Sequence, residues 1–326
     1  MTHAVRLPLY QQIEQDRGSR VLALVNSERL GLQTQIASDA VAPFVSLLDD
    51  MGPVPKISLI LDTNGGQTSA AWRLINMIHS FCDELEVIVP TKAMSAGTLM
   101  SLGADKIVMT KQAALGPIDP SLDNHPLAPI THTATGQVVR VPVSAEAVRG
   151  YIDEVKKDVT DPAAIASVWT HLATQIHPLV LGEVFRAGAQ IRDLASELIK
   201  RQVPDETIRN EIIQLLCSDS GSHDYTINRR KAEAIGLTVE KPSADLYKLL
   251  SAVTKSYNLE LKTLEPYSPF VLLGGQPHAQ YVLVRGLIES TDASYGFVTE
   301  GQLAAAPAPA GNITDQKSFE GWRKLP

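Results

Sequence analysis

Two short stretches carry residue types suited to acyl-transfer chemistry. "NGGQTSA" at 64–70 follows the apolar run "ISLILDT", and "AMSAGTLM" at 93–100 follows "LEVIVPTK". Ser95 is flanked by the small residues Ala96 and Gly97, which leave room for a carbonyl beside its hydroxyl. The N–H of Ala96 opens a helix-like segment, where uncovered N–H groups suit a developing oxyanion. Gly65 and Gly66 permit a sharp strand-to-helix turn and likewise leave N–H groups bare. Taken singly, each stretch has a plainer reading. A Gly-Gly pair is what many tight turns use, and a serine is a common helix cap. The chemistry requires the two turns to meet.

The surrounding elements bring them to one edge. Runs at 20–27, 56–63, 85–91 and 106–110 read as strands, and they alternate with helical patterns at 36–52, 67–81 and 96–104. Strands that are apolar on both faces predict a parallel sheet covered by helices and joined by right-handed βαβ crossovers. Both turns then lie at the carboxyl edge of the sheet, where sites form in such folds.

The rest of the chain is more varied. Polar residues 1–19 start with a short helix around "YQQIEQDRG". Residues 111–141 are irregular and rich in proline. Helical patterns follow at 144–158, 161–202 and 205–217, with Asp161 and Pro162 as N-cap and first helical residue and Pro178 as a break. A short helix within 227–240 closes at Gly236 and leads into a strand. Residues 279–290 are strand-like, and "AAAPAPAG" at 304–311 is of low complexity. The reading divides the chain into an N-terminal helix (1–19), an α/β core (20–262) with a helical insertion at about 144–217, and a C-terminal appendage (263–326) with a low-complexity tail.

Composition narrows the function classes. The chain has 326 residues, 44% hydrophobic and 20% charged, which is enough to bury a full core. A net charge of −7 argues against nucleic acid or an anionic membrane as the main partner. No leader-like apolar region opens the sequence and no run is long enough to span a membrane, so the expectation is a cytoplasmic protein. Cys82, in a helix-like stretch, and Cys217, at the end of one, read as reduced thiols with no metal or redox spacing. No G-x-G-x-x-G follows a strand, and no nucleotide or metal cofactor is expected.

Taken together, strand–GG–helix–strand–"MSAG"–helix–strand resembles the Clp protease/crotonase superfamily. More narrowly, "DRGSRV", "AMSAGTLMSLGADKIVM", "LGPIDP" and "SGSHDY" resemble the serine dehydrogenase proteinase family of Clp-like serine peptidases, over roughly residues 15–245. The resemblance implies a Clp protease/crotonase-like α/β fold. It implies Ser95 as nucleophile and an oxyanion hole from the N–H groups of Gly65, with Gly66 beside it, and Ala96. It also implies a homo-oligomer acting on peptide or unfolded protein, without using ATP itself, with an unfoldase or adaptor as partner.

A serine nucleophile needs a base. Counting forward from Ser95 to where the Clp pattern has its histidine reaches Ile118-Asp119-Pro120, without histidine. The acid position falls on Asp224, with His223 beside it. The resulting expectation is an altered triad of Ser95, His223 as base and Asp119 as its orienting acid, since triads are defined by geometry and not chain order. Asp224 is the alternative acid, and it also reads as a residue capping the turn. A Ser–Lys dyad, as in the more distant signal peptide peptidase A, makes Lys111 the alternative base, ahead of Lys92 and Lys106. The remaining histidines read as tail, helix-surface or appendage residues. Two other functions use the same turns: a crotonase-like acyl-coenzyme A enzyme and a catalytically silent Clp-like scaffold.

Overall fold

The computed structural model describes residues 2–118, 121–122, 125–132, 138–217, 225–305 and 313–326. In chain order the first elements are α1 (Thr2–Arg17), β1 (Arg20–Asn26), α2 (Val41–Met51), β2 (Val54–Asp62), α3 (Thr68–His79), β3 (Cys82–Val89), β4 (Lys92–Ala93), α4 (Ala96–Leu102), β5 (Lys106–Met109) and β6 (Ala114–Leu115). Next come β7 (Ser121–Leu122), β8 (Ile130–His132), β9 (Val138–Arg140), β10 (Val143–Ser144), α5 (Ala145–Asp158), α6 (Pro162–Gln175), α7 (Pro178–Leu198) and α8 (Glu206–Cys217). The chain closes with β11 (Ile227–Asn228), α9 (Arg229–Ala234), β12 (Val239–Glu240), α10 (Ala244–Leu261), α11 (Pro269–Leu273), β13 (His278–Ser290), β14 (Ser294–Ala305) and β15 (Ile313–Lys324).

Two compact units result. The first comprises Met1–Leu115, Arg201–Val203 and Ile227–Pro326, and the second Gly116–Lys200 and Pro204–Thr226.

The first unit is built on an eight-stranded sheet in the order β12-β5-β3-β2-β1-β13-β14-β15. The five strands from β12 to β1 pair in parallel, as the alternation of strands and helices predicts. The last three strands pair antiparallel, starting from β13 on β1. The segment read as an appendage therefore extends the central sheet, and a twelve-residue strand follows the low-complexity stretch.

Alternation along the strands divides the core. Val21, Ala23 and Val25 of β1, Ile60 of β2, Ile88 of β3 and Val108 of β5 pack with Tyr10 and Ile13 of α1 and with Leu246, Leu250, Val253 and Tyr257 of α10. The intervening residues Leu22, Leu24, Leu59, Leu61, Val87 and Ile107 are equally buried. A Cβ added at Gly97, at the start of α4, would lie 3.9 Å from the Leu61 side chain, so α4 packs on this second face. A sheet covered on both sides explains why the strands read as continuous apolar runs.

α1 is fastened by buried charge. The Arg6 guanidinium forks onto the Glu289 carboxylate at 2.7 and 2.6 Å, and Tyr10 donates to Glu289 and meets the Tyr257 hydroxyl, both at 2.6 Å. This anchorage explains why α1 begins at Thr2, well before the helical pattern expected from its polar sequence, and despite Pro8 inside it. Cys82 opens β3 and does not continue a helix; burial pushes its thiol up to about 11.

The second unit is mainly helical. Asp161 caps α6 by accepting from the Ala164 N–H, with Pro162 as first helical residue. The chain breaks before Pro178, and His177 then caps α7 through its ring nitrogen. Val143, Ala145 and Val148 form its core with Val180, Leu181 and Val184 of α7.

Candidate active site

The two turns meet in the first unit. β2 ends at Asp62 and the chain runs through Thr63 and Asn64 into Gly65 and Gly66, with φ of 105° and 145°. A side chain at Gly65 would place its Cβ 2.6 Å from the Met94 carbonyl oxygen, 2.8 Å from Ser95 Cβ and 3.1 Å from the Ala96 nitrogen. A Cβ at Gly66 would meet the Ile36 backbone at 2.2 Å. Both glycines are thus required by backbone conformation and by close approach. Below them, the Thr63 N–H donates to the Lys92 carbonyl at 3.1 Å, and the Met94 N–H donates to the Thr63 carbonyl at 3.0 Å. These bonds tie the glycine turn to the serine turn.

Ser95 itself is strained. Its φ of 50° and ψ of −114° are values that L-residues rarely adopt, and its side chain makes no cap hydrogen bond to α4. The capping role is therefore unfilled. The residue is partly exposed, and its hydroxyl has no hydrogen-bond partner among the described residues. A strained serine on a sharp strand-to-helix turn is the local geometry of a nucleophile elbow.

The N–H groups sort themselves by their partners. The Gly65 N–H, expected as an oxyanion donor, already donates to Thr63 Oγ1 at 2.9 Å. The Gly65 carbonyl accepts from the Ile36 N–H at 2.8 Å. In a trans peptide C=O and N–H point opposite ways, so the Gly66 N–H faces away from Ile36. Among the described residues, neither the Gly66 N–H nor the Ala96 N–H meets an acceptor. Sequence reasoning missed Thr63 as the competing acceptor; its place two residues before Gly65 is the signal that was available.

The candidate bases divide differently. His223, Asp119 and Asp224 lie outside the described residues. Lys111 is exposed, with its ammonium 5.0 Å from the centre of the Tyr247 ring on α10. Lys92 pairs with Glu28 at 2.7 Å. Lys106 opens β5 at the amino edge of the sheet, where it faces Glu84, Glu86 and Glu240, and is thereby removed from the site. His79 binds the Gly103 carbonyl at 2.7 Å, and burial lowers its pKa.

One further carboxyl stands at this edge. Asp62 accepts from the Thr91 hydroxyl at 2.9 Å, and burial pushes its carboxyl up to about 7. Among the described residues there is no cluster of His, Cys, Asp and Glu able to hold a metal ion, and no helix is long and apolar enough to cross a membrane.

Residues 2–140 match the model of a family described as ClpP-like SDH-type serine proteinase. Over this stretch the chain is similar to the ClpP-like SDH-type serine proteinases. The match contains both turns and ends before the helical elements of the second unit. Over a longer span, the chain is 26% identical across 246 residues to one uncharacterized protein of Methanocaldococcus jannaschii, covering 72% of this chain and 73% of that one. It is 28% identical across 244 residues to a second, covering 72% and 71%. Among solved structures, the 1510-N membrane-bound stomatin-specific protease aligns at 16% identity over 66% of this chain and 79% of its own, with a TM-score of 0.39. ClpP1 from Listeria monocytogenes aligns at 13% identity over 72% and 99%, with a TM-score of 0.38.

Proposed function

We propose that this protein hydrolyses peptide bonds through an acyl-enzyme on Ser95. The observation that carries the reading is the Ser95 backbone, held at φ 50° and ψ −114° with Gly65 packed against it. Such strain costs on the order of 1–3 kcal/mol and persists where the surrounding structure enforces it, which is characteristic of functional sites. A helix cap alone has no use for it. Enolate stabilisation on an acyl-coenzyme A would need the two N–H groups but no serine elbow.

In this reading the Ser95 oxygen attacks the scissile carbonyl carbon while its proton passes to the base. The negative charge moves onto the carbonyl oxygen, between the N–H groups of Ala96 and Gly66. Collapse breaks the C–N bond, and the base returns the proton to the leaving amine. Water then releases the acyl group by the same steps in reverse roles. His223 oriented by Asp119 is the proposed base, with Asp224 as the alternative acid and Lys111 as the alternative base. The substrate is an extended peptide or unfolded protein, bound as a strand beside the sheet edge. A homo-oligomer in the cytoplasm, supplied by an unfoldase or adaptor, completes the proposal.

A serine-reactive fluorophosphonate tests it. The wild type is expected to gain one adduct, mapped by mass spectrometry to the peptide containing Ser95. Ser95→Ala is expected to lose the adduct and to lower peptide hydrolysis on the order of 10⁶-fold. Labelling of the Ala variant at the wild-type rate would remove Ser95 from the nucleophile role. If His223→Ala remains fully active while Lys111→Ala is silent, the base is the lysine.

A further inference from the structure

We propose that Thr63, oriented by Asn26, is the positioning residue that sets the Gly65–Gly66 turn against Ser95; the inference rests on the serine-peptidase reading. Thr63 is fully buried at the end of β2 and touches both turns with different atoms. Its backbone holds the serine turn through Lys92 and Met94. Its methyl occupies the space beside Gly97, where an added Cβ would approach Cγ2 to 2.5 Å. Its hydroxyl holds the glycine turn by accepting the Gly65 N–H at 2.9 Å.

A hydroxyl has one proton, and here its direction is specified. Thr63 Oγ1 donates to Asn26 Oδ1 at 2.7 Å, and the Gly65 carbonyl at 3.5 Å is the longer alternative. With the proton committed to Asn26, a lone pair is left for the Gly65 N–H. Asn26 is itself buried at the end of β1, and its amide nitrogen faces Thr34 Oγ1 at 3.4 Å. Thr34 donates in turn to the Arg285 carbonyl on β13 at 2.6 Å and accepts from the Ser27 N–H at 3.0 Å. The glycine turn is thereby referenced through side chains to β1 and β13, and through Ile36 on its other side.

The consequence concerns which N–H is available. Drawing the Gly65 N–H inward to Thr63 fixes the orientation of the next peptide, whose Gly66 N–H is left free. Without the hydroxyl, the Gly65 N–H has no buried acceptor, and the turn rotates to find one. Misplacing one oxyanion donor costs about 10²–10³-fold in rate.

Thr63→Val keeps the shape and removes the hydroxyl, while Thr63→Ser keeps the hydroxyl and removes the methyl. Asn26→Leu deprives the hydroxyl of its acceptor without touching the turn; a cavity of about 260 Å³ beside Asn26 can take the side chain. Two readouts separate the inference from the peptidase reading. Amide hydrogen exchange resolved to Gly65 reports the hydrogen bond with or without activity. Fluorophosphonate labelling rate and the kcat-against-KM split report its effect. The expected result is faster Gly65 exchange and about 10²-fold slower labelling and kcat in Thr63→Val and Asn26→Leu, with KM unchanged and both readouts restored in Thr63→Ser. Unchanged Gly65 exchange in folded Thr63→Val or Asn26→Leu overturns the inference, as does a Thr63→Ser protein as slow as Thr63→Val. Should the wild type itself take no label, the peptidase reading fails, and Gly65 exchange still decides whether the hydroxyl holds the turn.

Discussion

Gly65→Ala is expected to destabilise the protein by about 2–6 kcal/mol and to silence Ser95. Two costs add at this position. The alanine must adopt a φ of 105°, a region that costs an L-residue on the order of 1–3 kcal/mol. Its Cβ must also displace the Met94 carbonyl oxygen from 2.6 Å and Ser95 Cβ from 2.8 Å, and overpacking of this kind costs about 1–3 kcal/mol. The displaced atoms are the Met94 carbonyl and the Ser95 Cβ, so relief comes only by moving the serine turn. A shift of about 1 Å there lowers the rate about 10²-fold. Gly18→Ala is the control, because Gly18 has a φ of 59° but nothing within 4 Å of the added Cβ. It should cost about 1 kcal/mol and leave labelling unchanged. Chemical denaturation and fluorophosphonate labelling of the two variants check both parts. Equal stability losses, or wild-type labelling in Gly65→Ala, would contradict the close packing of the two turns.

Arg6→Met should cost a similar amount, about 3–5 kcal/mol, by stranding a buried charge. Arg6 and Glu289 both have side chains with 0% exposure, and their forked pair is flanked by Tyr10 and Ser294, which also donate to the carboxylate. Burial by itself raises the Glu289 carboxyl. The hydrogen bonds and charge of Arg6, with help from Ser294 and Tyr10, outweigh it and hold Glu289 below the usual carboxylate range. A depressed carboxyl contributes stability that is present above its unfolded value, near pH 4.5, and is lost as the pH falls. In Arg6→Met burial is left to dominate, so the folded carboxyl binds its proton more tightly than the unfolded one. The slope reverses: the variant gains stability, relative to the wild type, as pH falls from about 8 to about 5. Urea denaturation at those two pH values measures it. A loss that is the same at both would mean that Glu289 keeps its charge without Arg6.

The core was legible because its physics is local. Strands buried on both faces leave uninterrupted apolar runs such as "VLALV", and each crossover returns as a helix with its own period. The site was half legible. Ser95 with its small neighbours and the Gly65–Gly66 pair announced two sharp turns, but their meeting depends on a parallel pairing of β2 and β3 that only the fold supplies. Thr63 was hidden because a threonine at a strand end reads simply as a β-branched strand residue. The commitment of the Gly65 N–H followed it out of view.

The C-terminal region shows two different kinds of miss. α10 had a readable signal: Ser243 as N-cap, then Leu246, Leu250, Val253, Tyr257 and Leu261 at helical spacing. β14 and β15 had little. Their partners are each other and β13, and β13 reaches β1 across the length of the chain, a pairing no local pattern encodes. The start of α1 was obscured in the same way, since Arg6 reads as a surface residue until Glu289 is placed beside it.

The most direct measurement of the central claim is a crystal structure of the fluorophosphonate adduct. The predicted result is a covalent bond from Ser95 Oγ to phosphorus, with the phosphonyl oxygen within about 3 Å of the Ala96 and Gly66 nitrogens. An adduct whose oxygen points to solvent, or one attached to any other residue, would contradict the convergence of the two turns on one carbonyl.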